Sequence, residues 1–208
     1  MILQSIQLEN FGLYQGKHEL YFVPNEKRPV TLIGGLNGRG KTTLLDAITL
    51  GLYGRRALKY LQDERIKYTT YLDNHINKNA LYGSRTSITI TLADSSQAQD
   101  VISLCRSWEK RLKADPEDVL IATRNGVQDD YLSENWDYFV EEIMPLNISR
   151  FFFFDNEKIA QIADDETFNS VKESIRSLLG LSTIDQLVSD LGKISKKKLT
   201  TQKDQEQQ

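Results

Sequence analysis

The spacing of apolar positions changes repeatedly along the chain, and each change predicts an element. Ile2, Ile6 and Leu8 interleave with Gln4, Ser5, Gln7 and Glu9, the two-residue period of a half-buried strand. His18 to Val23 predicts its hairpin partner, across a connection at residues 10–17. After Pro29, Val30-Thr31-Leu32-Ile33 is a short apolar run that predicts a strand stopping at Gly34-Gly35. Beyond the glycines the period becomes helical, with Leu44, Leu45, Ile48 and Leu52, and the helix is expected to end near residues 51–54. The polar, tyrosine-rich stretch that follows, to about Gly83, is expected to be irregular or short helical.

From Ser84 the period returns to two, with Ile88, Ile90 and Leu92 on one strand and Val101, Ile102 and Leu104 on a return strand to Trp108. Val119-Leu120-Ile121-Ala122 and Val127 flank Asn125-Gly126, a strong two-residue hairpin signal, so further antiparallel strands are expected there. Trp136, Phe139, Val140 and Ile143 predict a helix capped by Ser133 and stopped before Pro145. Ile148 to Phe154 predicts a buried strand, and Phe168, Val171, Ile175, Leu178 and Leu179 an amphipathic helix closed by Gly180. Ser182 and Asp185 then form a capping-box pair ahead of Ile184, Leu187, Leu191 and Ile194. By spacing alone this is either an ordinary terminal helix or the start of a coiled coil. Residues 1–180 are therefore assigned to one lobe and 181–208 to an emerging helix.

Composition narrows the function classes only slightly. With 208 residues, 39% of them hydrophobic, the chain can bury one sizeable core. A net charge of −3 implies no general affinity for polyanions, so any DNA contact is expected to be local or to lie outside these 208 residues. The lone Cys105 cannot form an internal disulfide, which fits a reducing compartment, and a small core residue is the expected role. No apolar run reaches the length of a membrane span, so a cytoplasmic chain without membrane partners is expected.

The chemistry concentrates in Gly35-Leu36-Asn37-Gly38-Arg39-Gly40-Lys41-Thr42, a full match to G-x-x-x-x-G-K-[ST] set between an apolar run and a periodic helix. Glycines let backbone N–H groups approach phosphate oxygens, and the helix starting near Lys41 turns its positive dipole end toward an anion. Lys41 can reach the β- and γ-phosphates, and Thr42 offers a hydroxyl to Mg²⁺. The expected ligands are ATP and Mg²⁺, held by Gly35, Asn37, Gly38, Arg39, Gly40, Lys41, Thr42 and Thr43.

This loop, with Leu45-Asp46-Ala47-Ile48, Leu52-Tyr53-Gly54 and the opening Leu8-Glu9-Asn10-Phe11-Gly12, resembles the SMC and Rad50 class of ABC-type ATPases. Within the class the chain is similar to the DndD family of bacterial DNA phosphorothioation systems. The residues that carry this are the loop wording from Gly34 to Asp46, Phe151-Phe152-Phe153-Phe154-Asp155, and Leu179-Gly180-Leu181-Ser182-Thr183-Ile184. The resemblance implies an α/β fold: the N-terminal lobe of a split P-loop head, with an antiparallel β subdomain and an emerging coiled-coil helix. It also implies a C-terminal lobe carrying a signature motif and Walker B carboxylates, a second head that dimerises on ATP binding, DNA, and other proteins of a DNA-modification system. No S-G-G-Q-type signature occurs in the sequence, so the chain is expected to end just inside the coil and to hydrolyse ATP poorly by itself.

Asp155, at the end of the phenylalanine run, is a second candidate for catalysis and Mg²⁺ binding. The resemblance places it at the Q-loop, although a glutamine is usual there. A Walker B strand would have its glutamate directly after the aspartate, whereas Asn156 precedes Glu157 here, and a structural strand end is the third possibility. His18 and His75 lie far apart without partners at ligand spacing, against a metal site. Arg55, Arg56 and Lys59 suit a solvated surface better than a phosphate or DNA contact. Tyr68, Tyr71 and Tyr82 suit packing better than base stacking. Three function classes follow: an ATPase driving DNA handling, a nucleotide-gated clamp with incidental turnover, and a RecF- or OLD-type ATPase fused to a nuclease.

Overall fold

A computed structural model describes residues 1–22, 30–60, 66–93, 100–112, 114–146 and 149. The chain divides into two compact units, Met1–Leu146 and Asn147–Gln208. Apart from Ser149, which is buried and helical, the strand expected at residues 148–154 lies outside the described residues, as do Asp155, Glu157 and both helices expected after it.

The first unit is a mixed α/β structure built on one antiparallel sheet. Its strands are β1 (Ile2–Phe11), β2 (Tyr14–Tyr21), β3 (Arg85–Ala93), β4 (Val101–Glu109), β5 (Val119–Arg124) and β6 (Val127–Gln128), in the order β2-β1-β3-β4-β5-β6. The alternation read from β3 and β4 places Leu8, Ile88, Arg106 and Leu120 in one cross-strand row and Ile6, Ile90, Leu104 and Ala122 in the next. The apolar members of these rows form the core face, where Ile6, Leu8, Ile88, Ile90 and Leu104 are completely buried. The other face is hydroxyl-rich, with Ser5, Thr91, Ser103 and Thr123 in register.

Helix α1 (Lys41–Tyr53) covers the core face. Its approach depends on Gly51, where an added Cβ would lie 2.6 Å from Ile90 Cδ1 and 3.0 Å from Ile88 Cγ2. A 3₁₀ turn (Gly54–Arg56), α2 (Ala57–Tyr60) and α3 (Tyr68–Asn74) resolve part of the segment that had no readable period. Trp108 and Trp136 are buried and donate their indole N–H to Leu72 O and Leu52 O, at 3.1 and 2.8 Å, so each large ring also satisfies a helix-end carbonyl.

Several expectations are corrected. The first hairpin turns at Gly12-Leu13 alone, with Phe11 paired to Tyr14, so most of the expected connection is strand. The expected partner strand from His18 is present but begins earlier, at Tyr14, because β2 is an edge strand with no deeply buried position and a strand without a buried face shows no alternation to mark its start. Val30 to Ile33 form no strand: Val30 and Leu32 are 81% and 93% exposed. A strand exists only through hydrogen bonds to a neighbour, and no described strand pairs with this run. Ser133 is no helix cap. The predicted helix is two, α4 (Asp130–Glu134) and α5 (Trp136–Ile143), and Asp129 caps α4 by accepting from Leu132 N at 2.9 Å. Cys105 is only half-buried, because its parity on β4 puts it on the polar face, where Arg85 Nη2 lies 3.2 Å from its Sγ. Tyr68 and Tyr71 pack as expected, but Tyr82 is 60% exposed beneath the Lys110 ammonium.

Arg106 occupies an apolar position of β4, where no pattern predicts a charge. Its guanidinium pairs with Asp118 at 2.6 Å and donates to Gly51 O at 3.3 Å, while Tyr68 donates its hydroxyl to the same carboxylate. Burial pushes the Tyr68 phenol far above its usual range, which keeps it a donor. Asp118→Ala would strand a buried guanidinium, at a cost of about 3–5 kcal/mol. Urea melts should show that loss, and a melt unchanged from wild type would show the pair to be dispensable.

Candidate functional site

The loop at residues 35–42 ends in a helix start whose donors are left open. Gly38 and Gly40 have φ of +73° and +93°, in the left-handed region that a side chain disfavours. Gly40 is the N-cap of α1, has no side chain to cap it, and the first helical turn carries no acidic residue. Among the described residues the orphan N–H groups of this helix start are thus neither capped nor neutralised, the condition under which such groups bind an anion. Arg39 N donates to Leu36 O at 3.3 Å, closing a turn across the loop. Lys41 folds back over it, donating to Gly35 O at 2.7 Å and Leu36 O at 3.0 Å. An ammonium has three N–H donors, so one remains for a phosphate oxygen. Asn37, Arg39, Lys41 and Thr42 are all exposed.

The loop is braced from below by the first hairpin. Tyr14 of β2 donates its hydroxyl to Gly40 O at 3.1 Å, and a Cβ on Gly40 would meet that hydroxyl at 3.1 Å and the ring carbon bearing it at 3.2 Å. Gly12, at φ +52°, packs against Thr43 so closely that a Cβ would lie 2.5 Å from Thr43 Cγ2. Sequence reasoning missed Tyr14, since an aromatic on an edge strand has no signature of its own.

The other candidates stand apart from the loop. Arg56 pairs with Glu141 and donates to Asp137 O at 3.2 Å, and Arg55 lies over the Tyr68 ring. His18 bonds Gln15 O, and His75 stacks on Phe11 and bonds Tyr71 O. Among the described residues no group of three or more His, Cys, Asp or Glu is placed to hold a metal. Of the residues expected at Mg²⁺, Thr42 is described and Asp155 is not. The donor chemistry fits: one hydroxyl beside a loop with open N–H donors would suit a hard cation that takes most of its ligands from phosphate and water. No helix among the described residues is long and apolar enough to cross a membrane.

Residues 5–208 match the profile of the AAA domain family, and the chain belongs to that family. It is also similar to the DNA double-strand break repair Rad50 ATPase of Thermoplasma acidophilum, 27% identical over 211 aligned residues that cover 91% of this chain and 21% of that protein. The chain therefore spans about a fifth of the length of this relative. The two matches agree with the SMC and Rad50 class of ATPase that the loop wording suggested.

Proposed function

We propose that the chain is the ATP·Mg²⁺-binding N-terminal lobe of a Rad50-like ATPase that couples nucleotide binding and hydrolysis to DNA handling. The observation that carries this is the uncapped helix start at Gly40 with Lys41 folded over the loop. Backbone N–H groups of residues 38–42 take phosphate oxygens, Lys41 offsets the charge on the β- and γ-phosphates, and the Thr42 hydroxyl takes the metal. When bound, the triphosphate supplies the phosphoanhydride bond whose cleavage drives the cycle.

The remaining groups come from elsewhere in this proposal: Asp155 at the end of the phenylalanine run, a C-terminal lobe, and a second head. Support for an incomplete site comes from the apolar run at Val30, Leu32 and Ile33, which is exposed where a strand of a larger sheet would be covered. The Phe151–Asp155 and Leu179–Ile184 stretches support phosphorothioate modification as the DNA process served. Calorimetric titration with ATP should give one saturable site that weakens when Mg²⁺ is chelated. No saturable heat at millimolar nucleotide would remove the proposal.

A further inference from the structure

The contacts between the first hairpin and the phosphate loop go beyond packing. Gly40 O accepts two hydrogen bonds, one from Leu44 N at 2.9 Å, which is the first bond of α1, and one from the Tyr14 hydroxyl at 3.1 Å. Helix start and edge strand are thus tied at a single atom. The hairpin turn is itself held, since Gly12 N donates to His75 O at 2.7 Å, Asn77 N to Asn10 O at 2.8 Å, and the Asn77 side-chain amide to Gly12 O at 2.8 Å. A continuous path of short bonds therefore runs from residues 75–77 through the turn at Gly12 to the loop. At its far end Lys41 ties Gly35 and Leu36. The four residues 36–39 are exposed and are held at their two ends by these ties.

We propose that Tyr14 is a positioning residue for phosphate binding: its hydroxyl fixes the Gly40 carbonyl, and with it the direction of the N–H groups that follow. This rests on the nucleotide assignment above. Peptide planarity makes the link mechanical, because the carbonyl of Gly40 and the N–H of Lys41 belong to one rigid unit. Pinning the oxygen therefore aims the next N–H, and a Cβ at Gly40 would crowd the Tyr14 ring, 3.2 Å from the carbon that bears the hydroxyl. Partial burial raises the Tyr14 phenol above its usual pKa, which keeps the proton on the donor.

The test is Tyr14→Phe, which keeps the ring and removes only the hydroxyl. Affinity should fall by about 3- to 10-fold for both ATP·Mg²⁺ and pyrophosphate, the worth of one neutral hydrogen bond spent on holding a binding-competent loop. Amide hydrogen exchange without ligand should accelerate at residues 36–44 and stay unchanged in β3 and β4. Unaltered affinity with unaltered exchange would overturn the proposal. So would weakened binding accompanied by equal acceleration throughout the sheet, since that is general destabilisation. If the wild-type chain binds neither probe, the nucleotide assignment is what fails, and the exchange measurement still decides whether Tyr14 pins the loop.

Discussion

Lys41→Ala is expected to lower affinity for ATP·Mg²⁺ by roughly 30- to 150-fold, while the melting temperature stays close to that of the wild type. Two losses add. The charge-assisted bond from the ammonium to phosphate is worth about 2–3 kcal/mol, and the bonds to Gly35 O and Leu36 O that shape the loop also vanish. Stability should change little because Lys41 is exposed and the carbonyls it releases can bond water. Calorimetry on the two proteins, with thermal melts alongside, measures both quantities. Equal affinity would mean that the nucleotide, if bound at all, sits elsewhere.

The largest effect is expected in turnover. The 208-residue chain should bind ATP yet hydrolyse it near background, with a protein-concentration-dependent rise when a separately expressed C-terminal lobe is added. The sequence contains the G-x-x-x-x-G-K-[ST] motif but no S-G-G-Q-type signature and no adjacent acidic pair of Walker B form after an apolar strand. Phosphoryl transfer needs a water-positioning group and charge stabilisation opposite the cradle, each worth orders of magnitude in rate. Steady-state phosphate release decides the matter. Robust turnover by the chain alone, lost in Asp155→Ala or Glu157→Ala, would revive the Walker B assignment of the phenylalanine run.

What could be read ahead of the structure follows from which contacts are local. β3 and β4 announced themselves because one face of each is buried and the other polar, so burial and sequence share a period. Asn125-Gly126 marked its turn through backbone requirements that Asn, at φ +54°, and Gly, at φ +80°, meet. The joining of two hairpins through β1 and β3 left no trace, since their pairing spans some eighty residues and any two strand edges have the same backbone groups. Val30 to Ile33 show the reverse case, a composition suited to a strand without a described partner to pair with.

The site divides in the same manner. The glycines, Lys41 and Thr42 of the proposed site stand out in the sequence because phosphate binding would constrain consecutive backbone positions, which appear as a motif. Tyr14 and Gly12 support the loop through tertiary contacts with Gly40 and Thr43, and spacing in sequence says nothing about those. Arg106 was hidden for a related reason: its charge is neutralised by Asp118, twelve residues on and outside the strand that buries it.

The central claim is that the loop between Gly35 and Thr43 is where the nucleotide binds. Its most direct test is an amide-exchange footprint of the wild-type chain with and without ATP·Mg²⁺. Binding should protect residues 38–42, whose N–H groups face the phosphates in the proposed site, and the protection should persist with pyrophosphate. Saturable nucleotide binding that leaves those amides unprotected, with protection appearing at another part of the chain, would contradict it.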